Sequence, residues 1–596
     1  SEITWSKSMR RRRAPRKGHE AMSAQNSGNM PTEDRLDPIL VSVLANRFDA
    51  IVREMTNTLF RTGRSAILNT AKDFSCCIVT ADHDLLSSID GLQIHVMGAG
   101  MQTPSINRFH DDAAEGDAYL HNDPYLGNTH IADHTILVPV FVDGEYLFTA
   151  CAKAHQADCG NSLPTTYMPF AKDVYEEAGL FFPCVRIQKA YRDVDDIIRM
   201  CRSRIRVPEV WYGDYLATLG AARIGEKRLK ELVARYGKET IKDFVSEWLD
   251  YSERRMAHAI SELPAGELQS HSRHDPLPGL PDGVPVNVTI RIKPQEEIIE
   301  VDLRDNVDCV PAGINLSEAS STTAAMIGVL NCIDSSVPRN GGAFRRIKVL
   351  LRENCVVGIP RFPASCSMAT TNMTNRLINA TQRAFSELGE EYGLAEGAAS
   401  MGAGLGVISG KDARHGGEEY VNQILLSNNG GPGSPVCDGW VTYGMPDCAA
   451  TTLVDSVEIC ELKYPMLVRS LYLLADSGGP GKFRGAPAHE IVYGPRFDKM
   501  TVAYFGEMNL HPPLGAQGGR SGSASYVRKI GRDGVETELP PIGVTEIEPG
   551  EWIRGAESGG GGFGDPKERD HALIQHDIDE GWVTREVASS AYGYKD

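Results

Sequence analysis

At 596 residues, with 41% hydrophobic and 23% charged side chains, the chain has the composition of a folded globular protein of about three or four ordinary domains. A formal charge of −18, from 61 basic and 79 acidic residues, argues against a general nucleic-acid or anionic-membrane surface and leaves proteins and small molecules as the expected partners. Thirteen scattered cysteines without a Cys-x-x-Cys pair suggest neither a disulfide framework nor a thiolate zinc module. No apolar run approaches the roughly 20 residues of a membrane span and the N-terminus lacks an apolar leader, so a cytoplasmic location is expected.

Residues 1–35 open with the basic run Met9 to Lys17 and read as a flexible arm, a candidate contact to an acidic partner surface. From Pro38, apolar residues at Ile39, Leu40, Val43, Leu44, Phe48, Ile51, Val52 and Met55 recur at helical spacing and predict an amphipathic helix. Strands are expected between Ser75 and Lys153, and helices between Tyr191 and Leu263. The Pro- and Gly-rich stretch 266–285 reads as a linker, dividing an N-terminal domain (36–265) from a C-terminal region (286–596) with room for two subdomains. Beyond it, Val286 to Ile292 and Glu297 to Leu303 predict a strand pair, and Ala319 to Asn331 and Thr374 to Leu388 predict helices. From Ser400 glycine becomes dense, with clusters at 401–406, 428–433, 476–481 and 559–564. None is followed by Gly-Lys-Ser/Thr, which excludes a P-loop at these clusters, and tight turns in a β-rich region are the expected cause. The fold class is therefore mixed α+β and multi-domain, with a β-rich metal-binding N-terminal domain and a Gly-rich, β-containing C-terminal half.

The densest chemistry lies between His121 and Cys159. His134 to Val142 reads as a strand, Asp143-Gly144 as a two-residue turn, and Glu145 to Lys153 as the returning strand. If Val142 pairs with Glu145, His155 falls opposite Ala132, within reach of His130 and Asp133. Two imidazoles and a carboxylate around one point suit zinc, manganese or ferrous iron. Strict pleating turns Asp133 to the other face, so a bulge or a loop start near Asp133 is required. Asp73 and His95, each at an expected strand edge or turn, are candidates to complete the site. Asp123 reads as a turn cap or a general base, and Asp158, three residues beyond His155, as a proton carrier or a group that orients that imidazole. Asp476-Ser-Gly-Gly-Pro480 imitates the setting of a nucleophilic serine, but a glycine turn after an apolar run accounts for it.

The ordered motifs resemble the hydantoinase B/oxoprolinase family from about Leu36 to the C-terminus. They are Asn122-Asp-Pro-Tyr-Leu-Gly-Asn-Thr-His-Ile-Ala-Asp133, Ala154-His-Gln-Ala-Asp158, Glu461-Leu-Lys-Tyr-Pro465, Asp476 to Gly485, and Gly559 to Pro566 with Glu580-Gly-Trp-Val583. The resemblance implies a metal-binding subunit that works with an ATP-binding partner of the hydantoinase A type in a hetero-oligomer. ATP chemistry then resides on that partner, and this chain completes either cyclic-amide hydrolysis or ketone carboxylation. It also implies His130, Asp133 and His155 as metal ligands, with Asp73 as a candidate fourth. Gln156 resembles the ketone carboxylases more than the hydrolases, so both activities stay open. Two readings from chemistry alone stand beside it: a ferrous oxygenase, whose usual His-x-Asp spacing is not met, and a metal that only staples the hairpin.

Overall fold

The computed structural model describes residues 36–448 and 451–595; the expected basic arm lies outside them. Helix α1 (Pro38–Thr62) starts where Asp37 accepts the Ile39 amide and Pro38 occupies the first turn, and it ends at Gly63. Its inner face is Val41, Leu44, Phe48, Ile51, Val52, Met55 and Leu59, whereas Ile39 and Val43 of the expected stripe are exposed.

A seven-stranded sheet follows. Its strands are β1 (Phe74–Thr80), β2 (Leu85–Ser87), β3 (Ala118–His121), β4 (Asp133–Val142), β5 (Glu145–His155), β6 (Val185–Lys189) and β7 (Arg192–Asp193), in the order β2-β1-β5-β4-β3-β6-β7. The one-turn helix α2 (Gln93–Val96) lies between β2 and β3 in the chain. Helices α3 (Pro208–Tyr236) and α4 (Lys238–Ser261) come next, and α3 packs on α1 and across β4 and β5. Gly225 makes that approach close: a Cβ there would stand 2.7 Å from the Met55 sulfur and 2.9 Å from Ala150 Cβ.

The expected linker is corrected. Residues Gly266–His274 form strand β8, with side chains alternating between exposed and buried, paired along its length with β9 (Val284–Lys293). The alternation Leu268, Ser270, Ser272, His274 on the buried face carries two serines and a histidine, so it does not read as an apolar strand. Strands β10 (Ile298–Asp302) and β11 (Ile347–Leu350) complete the order β11-β10-β9-β8, and the two expected helices, α5 (Glu318–Leu330) and α6 (Asn372–Ala384), pack on each other.

The C-terminal half adds β12 (Val407–Asp412), β13 (Glu418–Gln423), β14 (Met466–Leu473), β15 (His489–Pro495), β16 (Met500–Phe505), β17 (Tyr526–Ile530), β18 (Glu536–Glu538), β19 (Ile542–Ile547) and β20 (Trp552–Ala556). They form two sheets, β13-β12-β16-β19 and β14-β15-β20-β17-β18.

Tight turns account for only part of the glycine clusters: residues Ala403–Leu405 form a 3-10 turn within 401–406, and most of the remaining glycines have another cause. Among the glycines of the four clusters only Gly564 has a left-handed φ, +74°. What most of the others avoid is a clash with backbone: a Cβ on Gly559 would lie 1.9 Å from the Ser477 carbonyl oxygen, one on Gly560 1.9 Å from that of Gly431, and one on Gly561 2.2 Å from that of Leu514. The run from Gly559 is hydrogen-bonded to several segments at once, with Gly433 N–H donating to Gly561 (2.8 Å), Gly479 N–H to Gly560 (2.8 Å) and Gly562 N–H to Arg520 (2.9 Å). This is a core in which main chain packs on main chain.

Candidate metal centre and active site

The β4–β5 hairpin turns at Asp143-Gly144 with Val142 opposite Glu145, as read from the sequence. The register then shifts between Val140 and Phe141, because Leu147 is an extra residue on β5, and from there inward Val140 faces Phe148 and Asp133 faces His155. The required bulge exists, but at the turn end of the hairpin and not beside Asp133. A one-residue slip exchanges the faces of a strand, and here it puts Asp133 and His155 on the same side.

Asp133 Oδ1 stands 3.0 Å from His130 Nε2 and 3.0 Å from His155 Nδ1, and all three residues are buried. One ligand atom from each lies within 4.8 Å of the others, the spacing of groups that can share an ion. His130 Nδ1–H donates to the Ser367 carbonyl at 2.7 Å, which leaves Nε2 as a lone pair facing a carboxylate oxygen. That nitrogen has no hydrogen-bond partner among the described residues. Two lone pairs at this distance away from water repel unless a proton or a metal ion lies between them, so the donor set fits a divalent cation. Burial alone would push Asp133 up, but the His130 and His95 imidazoles outweigh it and hold the carboxyl well below its ordinary range. For His130 the balance is the converse: burial opposes its charge, and Asp133 outweighs burial and raises it.

The remaining candidates take distinct places. The Leu92 amide donates to Ser75 Oγ (2.8 Å), so the Ser75 hydroxyl is free to donate to His95 Nδ1 at 3.3 Å. His95 Nε2–H then faces Asp133 Oδ2 at 3.3 Å, and His95 positions that carboxylate. Thr129 Oγ1 donates to the same oxygen at 2.5 Å. The Asp73 carbonyl accepts the His155 amide (3.2 Å), and its carboxylate lies 3.9 Å from His95 Nε2, lining the same cavity without joining the close triad.

Asp123 caps a short turn through the Tyr125 amide, and burial pushes its carboxyl up to about 6, but it does not line that cavity. Asp158 does not orient His155. Its carboxylate accepts from the Arg206 guanidinium (2.9 Å) and from the Arg206 and Gly160 amides, and Thr166 Oγ1 instead holds His155 Nε2 at 3.0 Å. Asp158→Asn is therefore expected to leave metal content intact and to lower stability by about 2–3 kcal/mol, through loss of a charge-assisted pair, measured by chemical denaturation and elemental analysis. Complete loss of metal in this variant would contradict that placement.

Sequence reasoning did not find the rest of the wall. Tyr167 stacks on both imidazoles, with centroids 5.8 Å from His130 and 5.2 Å from His155, and shields them from water. Gln423, Asn428 and Asp447 line the cavity from the C-terminal half. Burial, with the charges of Asp73 and Asp133 nearby, pushes Asp447 up to about 7. The cavity itself is about 40 Å³, room for a few water molecules. Asn428 opens the glycine cluster 428–433, but nothing local ties any of these residues to His155, and only the fold brings them there.

His134, next to Asp133 on the opposite face of β4, is kept out of the site. Its Nδ1 accepts from Trp211 Nε1 at 3.4 Å, and burial lowers it to about 3, so it is neutral. Because its folded value lies below the unfolded value of about 6.5, the unfolded chain takes the proton first, and the stability it contributes above that pH is lost as pH falls. From pH 7 to pH 5 the loss is about 2 kcal/mol. Denaturant titrations at the two pH values should show this slope, and His134→Phe should flatten it; an unchanged slope would exclude His134 as its source.

The profile of the hydantoinase B/oxoprolinase family matches residues 37–566. The chain belongs to that family. The caprolactamase subunit beta of Pseudomonas jessenii is 30% identical over 94% of this chain and 96% of its own length. The crystal structure of the ATP-dependent caprolactamase from that organism superposes with a TM-score of 0.85 at 28% identity, over 94% of this chain and 96% of that one. Acetophenone carboxylase delta subunit of Aromatoleum aromaticum is 24% identical over 94% of this chain and 86% of its own length, and 5-oxoprolinase 1 of Arabidopsis thaliana 24% identical over 89% of this chain and 42% of its own. The mixed α/β fold of this hydantoinase B family member is thus shared with the ATP-dependent caprolactamase. Among the described residues no helix is long and apolar enough to cross a membrane.

Proposed function

We propose that this chain is the metal-dependent catalytic subunit of an ATP-dependent amidohydrolase that opens a cyclic amide activated by an ATP-binding partner of the hydantoinase A type. The observation that carries the reading is the unpartnered Nε2 of buried His130, aimed at the Asp133 carboxylate beside His155. His130, Asp133 and His155 would hold the ion, and Asp73, which lines the same cavity outside that close group, is the candidate fourth ligand. When bound, a divalent cation polarises an activated carbonyl or lowers the pKa of water towards neutrality. The protein's own part is to prepare that place. Ser367 fixes the His130 tautomer, Thr166 fixes His155, His95 and Thr129 hold Asp133, and Tyr167 closes the face of both rings.

The test is a substrate screen with the purified complex. ATP hydrolysis should be coupled to opening of a lactam, hydantoin or 5-oxoproline. A second reading, an ATP-dependent ketone carboxylase, is favoured by the likeness to acetophenone carboxylase delta subunit and by Gln156. Bicarbonate-dependent ketone consumption without ring opening would replace the first reading by the second.

A further inference from the structure

Glu177 is a buried acid outside the triad and its cavity. It ends the one-turn helix Val174–Glu177, is 1% exposed, and its Oε1 has no hydrogen-bond partner among the described residues. Its Oε2 accepts from Ser365 Oγ at 2.8 Å. Several other buried carboxylates of the chain face an arginine, as Glu507 faces Arg376 and Asp577 faces Arg484 and Arg569. None of the groups that act on Glu177 is a lysine or an arginine, and the ionisable one is the His130 imidazole. A carboxyl buried without a cation and with one oxygen unpaired is destabilising, so its place behind a ligand histidine calls for a reason outside folding.

The connection to the triad runs through two serines. The Ser365 hydroxyl that donates to Glu177 accepts the Ser367 amide at 3.3 Å, and the Ser367 carbonyl accepts the His130 Nδ1–H at 2.7 Å. Both serines are fixed from their other sides: the Ser365 carbonyl accepts from Asn315 Nδ2 at 3.0 Å, and Ser367 Oγ accepts the Met168 amide at 2.9 Å. The backbone after the acid is equally set. Ala178 takes a left-handed φ of +59°, and a Cβ on Gly179 would stand 2.3 Å from Ile131 Cδ1. Burial pushes the Glu177 carboxyl up, while the Ser365 and Ser367 hydroxyls and the charge of His130 pull it down. A cation on His130 Nε2 adds positive charge to that imidazole and strengthens the pull.

We propose that Glu177 is the buried counter-charge of the metal centre, a positioning residue that acts on His130 through Ser365 and Ser367 and strengthens binding of a divalent cation. This rests on the reading of His130, Asp133 and His155 as ligands of one ion.

The test is titration of manganese(II) into the metal-stripped full-length protein, with free ion read by electron paramagnetic resonance and the melting temperature of the metal-free protein measured alongside. Glu177→Gln keeps the shape and an acceptor for Ser365 but removes the charge. Its affinity should fall about 10–100-fold, the usual effect of losing a group that supports a ligand histidine, while the metal-free melting temperature holds or rises. A role in packing alone would survive this change. Ser365→Ala cuts the link and leaves the carboxyl in place, and should lower affinity by about three- to tenfold, the size of one hydrogen bond. Wild-type affinity in either variant overturns the proposal. Where Glu177→Gln melts well below the wild type, the Ser365→Ala measurement decides. If the wild type itself takes up no manganese, zinc or ferrous iron, the ligand reading of the triad has failed instead.

Discussion

On the proposed metal-dependent reading, His130→Ala and His155→Ala are each expected to abolish binding of a divalent metal and to reduce turnover by about a thousandfold or more, while the fold persists. The expectation follows from the geometry of a three-residue site. Removing either imidazole leaves Asp133 Oδ1 with one close imidazole in place of two, on a carboxylate that is fully buried. Loss of a group that merely supports a ligand costs about 10–100-fold in metal affinity, and loss of the ligand itself costs more. Thr166→Val tests the smaller effect, since it removes only the hydroxyl at His155 Nε2. The two histidine variants combined should lose little more than either alone, because ligands of one ion act as a unit. Elemental analysis decides it: full metal occupancy in His130→Ala would exclude the hairpin site. Aggregation of His155→Ala on metal removal would instead support a structural staple.

Gly560→Ala should have the largest effect on folding. The added Cβ would sit 1.9 Å from the Gly431 carbonyl oxygen and 2.9 Å from that of Gly430. The Gly431 carbonyl cannot retreat, because it accepts the Ala486 amide at 2.9 Å, and the Gly560 amide in turn donates to the Ala486 carbonyl. Several kcal/mol of destabilisation, above about 4, is the expected cost of such overpacking. Gly220→Ala in helix α3 is the control, since nothing lies within 4 Å of the place its methyl group would take, and it should gain about 0.5–1 kcal/mol. Equal melting temperatures for the two variants would show that the glycine bundle yields, and would remove the close-packing account of it.

Part of the candidate site was legible because its signals are local. His130 and Asp133 lie three residues apart, the Asp143-Gly144 turn is a strong hairpin signal, and β5 carries His155 back to them. The bulge was not legible, because Leu147 is an apolar strand former like its neighbours, and which of them is left unpaired depends on how the hairpin packs. Asp158 was misplaced for a related reason: nearness in sequence to His155 suggested a partner, but Arg206 lies closer in space.

The sequence by itself determined the opening helix and most of its buried face, the hairpin turn, the ordered motifs that carry the family, and the triad residues, since each depends on spacing within a short segment. Tertiary structure alone decided the register that brings Asp133 and His155 together, the strand at residues 266–274, the placing of Gln423, Asn428 and Asp447 around the cavity that His155 lines, and the close packing at the glycines. The physical reason is the same in each case. Burial, close approach and unpaired polar atoms are properties of two segments in contact, and neither segment carries the information alone.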